Sequence, residues 1–356
     1  MKIVIAIDHF KEGGAERVAS VITNELCRKH EVHVLVMEEG INYPLDLEHV
    51  HYRIVKYNRA NRVVRKLSKL YKLRKMMRDI DADVVFSFGS CTVTYTMWAL
   101  WRLGRRKTIV IGSERTDPTK DPTNRITKWL RDRAYNACDI LVCQTPWVVD
   151  YFKGRINTPC VIIPNPISPH LPQWQGSESK RIMTACRIVE QKNLPLLIRA
   201  FRRLLEVHPE WSLVVYGDGE LKENIEGLIE SYGLQDKVSM PGFSCNIPHE
   251  MINSYMYVSS SDYEGISNSM LEALGCGVPT ICTDCPVGGA AMSIENGKSG
   301  LLTPVGDETA LYEAMKRMIE DKGLAKRCSE NARKINEALS ADRIVSQWTD
   351  LINRKE

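Results

Sequence analysis

Two glutamates stand close together in the stretch "DYEGISNSMLEALGCGVP", residues 262–279. Glu264 precedes the short run Gly265, Ile266, Ser267 and Asn268, and Glu272 follows within an apolar segment that is typical of a helix. The free N–H groups and the dipole at a helix N-terminus favour an anion. Carboxylates accept hydrogen bonds from hydroxyl groups. A nucleotide sugar, which carries a diphosphate between two sets of hydroxyls, suits this combination.

A purely structural explanation of the same residues is also open. Ser269 and Glu272 have the Ser-x-x-Glu spacing of a capping box, in which both side chains satisfy free backbone N–H groups. Glu272 is then only a cap, and Glu264 is a solvated charge in a loop.

Two further loops in the second half of the chain suit a phosphate ligand. Arg187 and Lys192 follow the strand-like "RIMTAC" and precede a helix. An arginine fork and a lysine point charge together suit a diphosphate, although a pair of solvated surface charges explains them as well. Gly217 and Gly219 bracket the turn after "WSLVVYG", where glycine permits close approach of the backbone to a ligand.

Composition limits the remaining possibilities. A chain of 356 residues exceeds the usual size of one core, which predicts two domains. A net charge of +4 is mild, so we expect no nucleic-acid partner. Eleven cysteines without repeated pairing, and no apolar segment of secretory or membrane-spanning length, indicate reduced thiols in a cytoplasmic protein. Cys282 and Cys285 form a lone CxxC, which lacks the second ligand pair of a zinc site.

Short apolar strands alternate with amphipathic helices along both halves of the chain. This rhythm predicts an α/β protein with two doubly wound parallel sheets. Ligands of such sheets bind outside the carboxyl ends of the strands. A proline-rich break after residue 163 indicates a linker. The predicted divisions are residues 1–163, a linker at 164–180, residues 181–338, and a C-terminal helix at 339–356.

The loops named above, in their order, resemble those of a known family. The matching elements are "GGAERV", "RIVEQKN", "GDGEL" and the two glutamates of 262–279, followed by "TDCP" and "GLLTPVGD". Taken together, they resemble the family 4 retaining glycosyltransferases of the GT-B fold that build bacterial cell-surface polysaccharides and lipid-linked glycans. The resemblance implies two Rossmann-like domains facing across a cleft, an N-terminal acceptor-binding domain, a C-terminal domain for the nucleotide sugar, and a last helix that crosses back to the N-terminal domain.

The resemblance also implies roles for individual residues. Arg187 and Lys192 should neutralise the departing diphosphate, Glu264 should contact the donor sugar, and these three carry the catalytic assignment. Glu272 should hold the ribose hydroxyls. The residues expected to bind the nucleotide sugar are Gly13, Gly14, Arg187, Lys192, Gly217, Glu264, Gly265, Ile266, Ser267, Asn268 and Glu272. The family needs no metal or other cofactor, and we expect none. The "DIDAD" stretch at 79–83 is explained by capping and solvation.

One loop departs from the family pattern. Many relatives place a histidine that touches the donor sugar where this sequence reads "GSERTDP". Glu114 and Arg115 stand there instead, and we expect them to orient the acceptor.

The implied reaction is transfer of a hexose or N-acetylhexosamine from a UDP-sugar to an acceptor hydroxyl, with retained anomeric configuration. The expected acceptor is a lipid-diphosphate-linked glycan or another oligosaccharide. Two alternatives stay open: a nucleotide-sugar epimerase on the same fold, and a non-catalytic partner subunit of a glycosyltransferase.

The segment "RANRVVRKLSKLYKLRKMMR", residues 59–78, has nine Lys or Arg and no Asp or Glu. Val63, Leu67, Leu70, Tyr71 and Met77 recur at helical spacing and predict a stripe facing the core. A solvated helix face usually mixes both signs of charge, so this excess favours an anionic partner. We expect the helix to dock the protein peripherally on the inner face of the cell membrane, with Arg65, Lys69 and Lys72 helping to receive the acceptor.

Overall fold

The computed structural model of the chain describes residues 1–11, 13–56, 61–101 and 108–353. It divides into two compact units. Unit 1 comprises Met1–Pro166 together with Ala341–Glu356, and unit 2 comprises Ile167–Ser340. The first two residues of the basic segment 59–78 lie outside the described residues.

Unit 1 is built on a parallel sheet of seven strands. Their bounds are β1 Lys2–Ile7, β2 Glu31–Val36, β3 Val50–Ile54, β4 Val84–Phe88, β5 Ile109–Ser113, β6 Ile140–Cys143 and β7 Cys160–Ile162, in the spatial order β3-β2-β1-β4-β5-β6-β7. Every described pairing is parallel. The central strands are continuous apolar runs because helices cover both faces of the sheet.

The helices of unit 1 connect these strands. Their bounds are α1 Gly14–Leu26, α2 Arg62–Ile80, α3 Ser90–Leu100, α4 Arg125–Tyr135, α5 Pro146–Phe152 and, from the end of the chain, α14 Ala341–Asn353. Helix α14 packs against α1, and Trp348 on α14 is fully buried with its ring against Phe86 and Phe88 of β4. The expected return of the last helix to the N-terminal unit is therefore confirmed.

Unit 2 repeats the plan with six parallel strands. Their bounds are β8 Arg181–Ala185, β9 Ser212–Tyr216, β10 Val238–Gly242, β11 Met256–Ser259, β12 Thr280–Thr283 and β13 Leu301–Thr303, in the order β10-β9-β8-β11-β12-β13. The helices are α6 Leu194–Val207, α7 Lys222–Ser231, α8 Ile247–Ile252, α9 Asn268–Cys276, α10 Gly289–Ser293, α11 Glu308–Glu320, α12 Lys322–Ala332 and α13 Ile335–Ala338. The prediction of two doubly wound α/β units is confirmed.

The boundary between the units lies earlier than the predicted linker suggests. The division falls after Pro166, so most of the segment 164–180 belongs to unit 2. Trp174 is buried there, and its indole Nε1–H donates to the Ser254 carbonyl at 2.9 Å. Prolines and polar residues indicated an exposed connection, but one buried aromatic side chain fixes this segment to the core of unit 2.

The stripe predicted to face the core on the basic helix is wrong for three of its members. Val63, Leu67 and Tyr71 are exposed on α2, whereas Leu73, Met77 and Ile80 are buried. The exposed stripe and the buried stripe are separated by roughly a third of a turn around the helix axis. The helix therefore carries a second apolar stripe that is not used by the core, and periodicity alone could not distinguish the two.

Two smaller features of the fold bear on membranes and metals. Asp81 ends α2 in the left-handed conformation with φ 50°, and the Asp83 carboxylate accepts from the Lys2 N–H at 2.7 Å. Local backbone contacts thus account for these two acids of "DIDAD". Within the described ranges, no helix combines the length and the apolar character needed to cross a bilayer.

Candidate functional site

The candidate site of unit 2 begins at the carboxyl ends of β8 and β11, where the strand order reverses. Lys192 Nζ forms an ion pair with Glu264 Oε1, with the two side chains 14% and 17% exposed. Ser261 Oγ donates to the same carboxylate oxygen at 3.1 Å. Burial alone would lower the pKa of Lys192, but attraction by Glu264 and Cys186 outweighs it, and the pKa is raised. Lys192 is therefore a fixed positive charge at neutral pH.

The loops that carry this pair are joined by their own hydrogen bonds. Gln191 Nε2 donates to the Tyr263 carbonyl at 2.7 Å, and the Asp262 N–H donates to the Gln191 carbonyl at 2.9 Å. Asn193 Nδ2 donates to Asp262 Oδ1 at 2.7 Å. The ion pair therefore sits on a cross-linked double loop and not on two independent mobile segments.

The loop after β9 packs against the loop after β8 through its two glycines. Gly217 has φ 129°, and a Cβ added there would lie 1.8 Å from the Cys186 carbonyl oxygen. A Cβ on Gly219 would lie 2.4 Å from the Ile188 carbonyl oxygen. Backbone bonds from the Cys186 N–H to Tyr216 and from the Ile188 N–H to Asp218 hold this contact. The glycines thus serve close packing of loop on loop, which positions Arg187 between Cys186 and Ile188.

Arg187 differs from Lys192 in being exposed. Among the described residues its side chain has no recorded ion pair. The structure therefore brings Lys192 and Glu264 together, and it places the exposed Arg187 on the same loop.

Helix α9 begins earlier than a capping box requires. Its N-cap is Ser267, whose side chain accepts from the Met270 N–H, and the helix starts at Asn268. Glu272 is then the fifth helical residue, beyond the position from which a capping-box glutamate reaches back. The capping-box explanation of Glu272 is wrong, because it requires Ser269 as the N-cap and the N-cap is Ser267.

The "TDCP" segment packs directly behind the Glu264 loop. The Cys285 thiol donates to the Ser261 carbonyl at 3.1 Å, and Thr283 Oγ1 donates to the same oxygen. Burial raises the pKa of Cys285 to about 12 and also raises that of Cys282. Both thiols are protonated at neutral pH, so this CxxC supports the loop and offers no thiolate for metal or redox chemistry.

The corresponding edge of unit 1 contains the Gly-Gly turn. Gly13 is the N-cap of α1 with φ 146°, and Tyr43 Oη donates to its carbonyl at 3.0 Å. A Cβ on Gly13 would lie 2.1 Å from Glu16 Oε2. The side chains of Tyr43 and Glu16 thus flank the turn, and the N-terminus of α1 lies at the carboxyl edge of the sheet.

Arg115 extends this edge from the end of β5. Its Nη2 donates to Asn165 Oδ1 at 2.6 Å, and Gln144 Nε2 donates to the same oxygen at 2.6 Å. Burial lowers the pKa of Arg115 to about 10, which leaves it charged at neutral pH. Its Nε and Nη1, together with Gln144 Oε1, are buried without a hydrogen-bond partner among the described residues. Buried guanidinium donors of this kind require an acceptor, so the cluster is suited to an anionic or hydroxyl-rich ligand.

Glu114 does not face this cluster, and the expectation that it contacts the acceptor is wrong. It is 1% exposed, and its carboxylate accepts from Tyr135 Oη at 2.9 Å and from the Arg115 N–H at 2.9 Å. Burial raises the pKa of Glu114 to about 7, against the opposing attraction of Arg131. Side chains alternate in direction at the end of a strand, so Glu114 points inward where Arg115 points to the edge.

Sequence reasoning missed several members of these clusters. Ser261 donates to Glu264, and Tyr43 donates to the backbone of Gly13. Asn165 accepts from Arg115 and also from Gln144. Gln144 follows β6 directly and Asn165 lies three residues after the end of β7, and this position beyond a strand end was the available signal. Tyr43 lies in a loop whose contact with Gly13 depends on tertiary structure alone.

The three basic residues assigned to the acceptor lie on α2 in two different settings. Arg65 and Lys72 are exposed. Lys69 is mostly buried, with Nζ 3.9 Å from Asp8 Oδ1 and 5.5 Å from the centre of the Tyr95 ring. Lys69 therefore lies near the end of β1, whereas Arg65 and Lys72, on the same face of the helix, extend into solvent.

Glu31, His33 and His51 are the group of possible metal ligands found in the described part of the chain. His33 Nε2 and Glu31 Oε1 are 2.8 Å apart, and the two imidazole rings stack at 4.6 Å. These residues lie at the amino ends of β2 and β3, opposite to the edge that carries Arg115, and they serve one another as partners.

Two family profiles match the chain. Residues 12–171 match "Glycosyltransferase Family 4", and residues 173–335 match "Glycosyl transferases group 1". The two matches follow one another along the chain and correspond to unit 1 and unit 2.

Curated relatives and solved structures agree with the profiles. A Campylobacter jejuni protein named N-acetylgalactosamine-N,N'-diacetylbacillosaminyl-diphospho-undecaprenol 4-alpha-N-acetylgalactosaminyltransferase is 28% identical, over 93% of this chain and 94% of its own. A second Campylobacter jejuni enzyme, named as an alpha-1,4-N-acetyl-D-galactosaminyltransferase acting on a diNAcBac-PP-undecaprenol glycan, is 25% identical over 99% of this chain and 98% of its own.

The structure of Anabaena HepE in complex with UDP and glucose superimposes with a TM-score of 0.85, at 18% identity, over 99% of this chain and 100% of that one. At this identity the similarity shows the fold. Together with the two consecutive family matches, it shows that this chain belongs to the glycosyltransferases of the GT-B fold, with a family 4 N-terminal domain and a group 1 C-terminal domain.

Proposed function

We propose that the protein transfers an N-acetylhexosamine or hexose from a UDP-sugar to a hydroxyl of a lipid-diphosphate-linked glycan, with retained anomeric configuration and without a metal ion. Unit 2 binds the nucleotide sugar and unit 1 the acceptor. The observation that carries the proposal is the Lys192–Glu264 ion pair, held on a cross-linked double loop beside Arg187 and the N-terminus of α9.

The cations of this site are suited to a diphosphate leaving group. Arg187 offers exposed donors in a planar fork, and Lys192 is a charge fixed by Glu264. The N-terminus of α9 adds the positive end of a helix dipole at the same loop. Stabilisation of the charge that develops on a departing diphosphate is an electrostatic task, and these groups supply it in place of a metal ion.

Glu264 acts in this proposal as a positioning group for the donor sugar. Its carboxylate is held by Lys192 and Ser261, which fixes its direction. The remaining lone pairs accept from sugar hydroxyls. Glu272, about one turn into α9, takes the ribose hydroxyls. The backbone of residues 265–268 lies between the two glutamates in the sequence. Gly13 and Gly14 are assigned to the nucleotide sugar by the family resemblance.

Retention is supported by the relatives. Both Campylobacter enzymes are named for forming alpha linkages. A UDP-hexose or UDP-N-acetylhexosamine of the common kind is itself an α-glycoside, so an α-linked product has the configuration of the donor. The leaving diphosphate then accepts the proton of the incoming hydroxyl on the same face of the sugar.

The acceptor end of the proposal rests on unit 1. Arg115 has two buried donor atoms that lack a partner among the described residues, and Gln144 adds an acceptor oxygen beside them. A hydroxyl and a phosphate oxygen of the acceptor satisfy such a cluster. The relatives named above act on undecaprenol-diphosphate glycans, which agrees with a cytoplasmic enzyme working at the inner face of the membrane.

The two rival functions make different demands on the site. An epimerase needs acid and base groups at the sugar carbon, whereas Glu264, the carboxylate assigned to the donor sugar, is already bound to a lysine. A non-catalytic subunit has no need of Arg187, Lys192, Glu264 and Glu272 together. Neither rival explains the buried donors of Arg115.

One assay separates these functions. UDP release is measured with each UDP-sugar, in EDTA, with and without a short-chain polyprenyl-diphosphate glycan, and the lipid product is weighed by mass spectrometry. We expect UDP release that depends on the acceptor and a product heavier by one sugar. Conversion of the nucleotide sugar without acceptor indicates an epimerase, and no turnover with any UDP-sugar indicates a partner subunit.

A further inference from the structure

Helices α2, α3 and α4 form one layer over a single face of the sheet of unit 1. They precede β4, β5 and β6 in turn, and right-handed crossovers that step in one direction place their helices on the same face. Neighbours in the layer pack together. Arg74 of α2 also donates through Nη1 to the carbonyls of Ala99 and Trp101 at the end of α3, at 3.0 and 2.5 Å.

The outward side of this layer is unusually apolar. Leu67 is 62% exposed, Trp101 66% and Ile126 72%. Eight of the 16 exposed large apolar residues that the structure describes lie here: Val63, Val64, Leu67, Tyr71, Trp98, Trp101, Ile126 and Trp129. They include all three exposed tryptophans. We call this set the α2–α4 surface. Single exposed apolar residues are ordinary, but a concentration of them marks a binding surface.

The exposed positions of α2 around this apolar set are strongly basic. Helix α2 presents Arg65, Lys66, Lys72, Lys75 and Arg78 to solvent, and the sequence of the helix contains no acid before Asp79. Helix α3 contains no charged residue at all.

We propose that the α2–α4 surface binds an anionic lipid bilayer by inserting its tryptophans and aliphatic side chains at the level of the headgroups while its cations contact the lipid phosphates. Tryptophan and tyrosine are enriched at membrane–water interfaces, and lysine and arginine extend to the headgroups beside them. This inference supplies the membrane contact for the proposed lipid-linked acceptor, and its test does not use the reaction.

Two other partners fit the surface less well. A second copy of the chain would place these exposed cations against the same cations, because a two-fold contact is self-complementary. An acidic protein or polyanion would pair with the charges, but it would leave Val63, Leu67 and Ile126 without an apolar partner. A bilayer interface accepts both kinds of side chain in one plane.

The apolar part of the surface separates this proposal from attachment by charge alone. Contacts between exposed charges weaken with salt, since the Debye length falls from about 10 Å at 0.1 M to about 3 Å at 1 M. Apolar insertion is not screened in this way. We therefore expect vesicle binding to weaken with salt but to persist in part at 1 M.

The experiment uses the full chain and vesicles of phosphatidylcholine with and without phosphatidylglycerol, read by flotation. An apolar variant combines Leu67→Gln, Trp101→Gln and Trp129→Gln, and a charge variant combines Lys66→Glu, Lys75→Glu and Arg78→Glu. Matched controls in unit 2 are Phe243→Gln, Val207→Gln and Met292→Gln, and Lys298→Glu, Lys322→Glu and Lys326→Glu, all at exposed positions.

We expect the wild type and both controls to bind the anionic vesicles. The charge variant should bind at least about 100-fold more weakly, given on the order of 1 kcal/mol for each basic residue. The apolar variant should bind roughly 10-fold or more weakly and should lose the residual binding at 1 M salt. Brominated lipids should quench the fluorescence of the wild type and not that of the apolar variant.

Two results would overturn the inference. Vesicle binding by the apolar variant equal to that of the wild type would show that the tryptophans do not insert. A self-associating wild type whose dimer is abolished by the apolar variant, with no vesicle binding, would show a protein interface. Transfer to a water-soluble short-chain acceptor should be unchanged in the apolar variant. If neither the wild type nor any variant transfers sugar to this acceptor, the proposed function has failed and not the membrane inference.

Discussion

At the scale of single residues, the two cations of the unit 2 site lie in different environments. Lys192 is mostly buried and is paired with Glu264, while Arg187 is exposed on the same loop. Removing one partner of a buried pair leaves the other charge uncompensated and destabilises the fold. The two cations must therefore be tested with different controls.

We expect Arg187→Ala to lower kcat by about 30- to 1,000-fold, which corresponds to roughly 2–4 kcal/mol of lost stabilisation of the leaving diphosphate. Because Arg187 is exposed, its replacement should leave thermal unfolding unchanged. Lys192→Ala should lower kcat within the same range and also destabilise the protein, whereas Lys192→Ala with Glu264→Gln should recover stability but not turnover. Steady-state kinetics and thermal unfolding check both. Near-normal kcat in Arg187→Ala and Lys192→Ala, with Lys298→Ala as the surface control, would remove these cations from the site.

The two glutamates should separate by ligand. Glu272→Gln should weaken the binding of UDP itself, since it is assigned to the ribose hydroxyls. Glu264→Gln should leave UDP affinity close to that of the wild type and lower transfer from the intact UDP-sugar. Calorimetric titration with UDP decides between them, and an equal loss of UDP affinity in both variants would mean that the sugar and ribose ends have been exchanged.

Glu114 gives a prediction about pH. Burial raises its pKa to about 7, above the ordinary value of 4.5, so the folded protein retains a proton that the unfolded chain has lost between these two values. The stabilising contribution is complete below about pH 4.5 and is lost as the pH rises through 7. At about 1.4 kcal/mol for each pKa unit, the change is on the order of 3 kcal/mol.

Glu114→Gln cannot ionise, so its free energy of unfolding relative to the wild type should rise between pH 5 and pH 8. Urea unfolding at several pH values measures this difference. A difference that stays constant over the range would show that Glu114 is ionised throughout, paired with Arg131.

At the scale of elements, the contact between the β8 and β9 loops requires a residue without a side chain. A Cβ on Gly217 would overlap the Cys186 carbonyl oxygen, and φ of 129° is unfavourable for other residues. Gly227, by contrast, lies within α7 with open space around it.

Gly217→Ala should therefore destabilise unit 2 by roughly 3 kcal/mol or more and impair UDP binding. Gly227→Ala is the matched control, and it should stabilise the protein by about 0.5–1 kcal/mol because alanine is the better helix former. Urea unfolding of both variants tests this, and a tolerated Gly217→Ala would mean that the two loops are not in contact.

Much of each element was predictable from the sequence, since apolar runs and loop glycines depend on local rules. The strand–helix alternation and the loops of Arg187, Gly217 and Glu264 follow from such rules. The sequence did not predict which apolar stripe of α2 packs against the core. One stripe faces the core and the other faces solvent, and only tertiary packing distinguishes them. The start of α9 at Asn268, and not two residues later, also depended on which of two serines caps it.

At the scale of the whole molecule, the chain forms two units of similar design, and its last helix belongs to the first. Trp348 on α14 is buried against Phe86 and Phe88, so unit 1 is completed only when the end of the chain is in place. Each unit brings its chemistry to the carboxyl edge of its own sheet: Gly13 and Arg115 in unit 1, and the Lys192–Glu264 pair in unit 2.

The anomeric configuration of the product tests the central proposal most directly. The protein is incubated in EDTA with the UDP-sugar that it accepts and with a short-chain polyprenyl-diphosphate glycan, and the purified product is examined by proton NMR. We predict an α-linked product heavier by one hexose or N-acetylhexosamine, formed by the wild type and strongly reduced in Arg187→Ala. A β-linked product, or transfer that stops when metal ions are removed, would contradict retention assisted by the cations of unit 2.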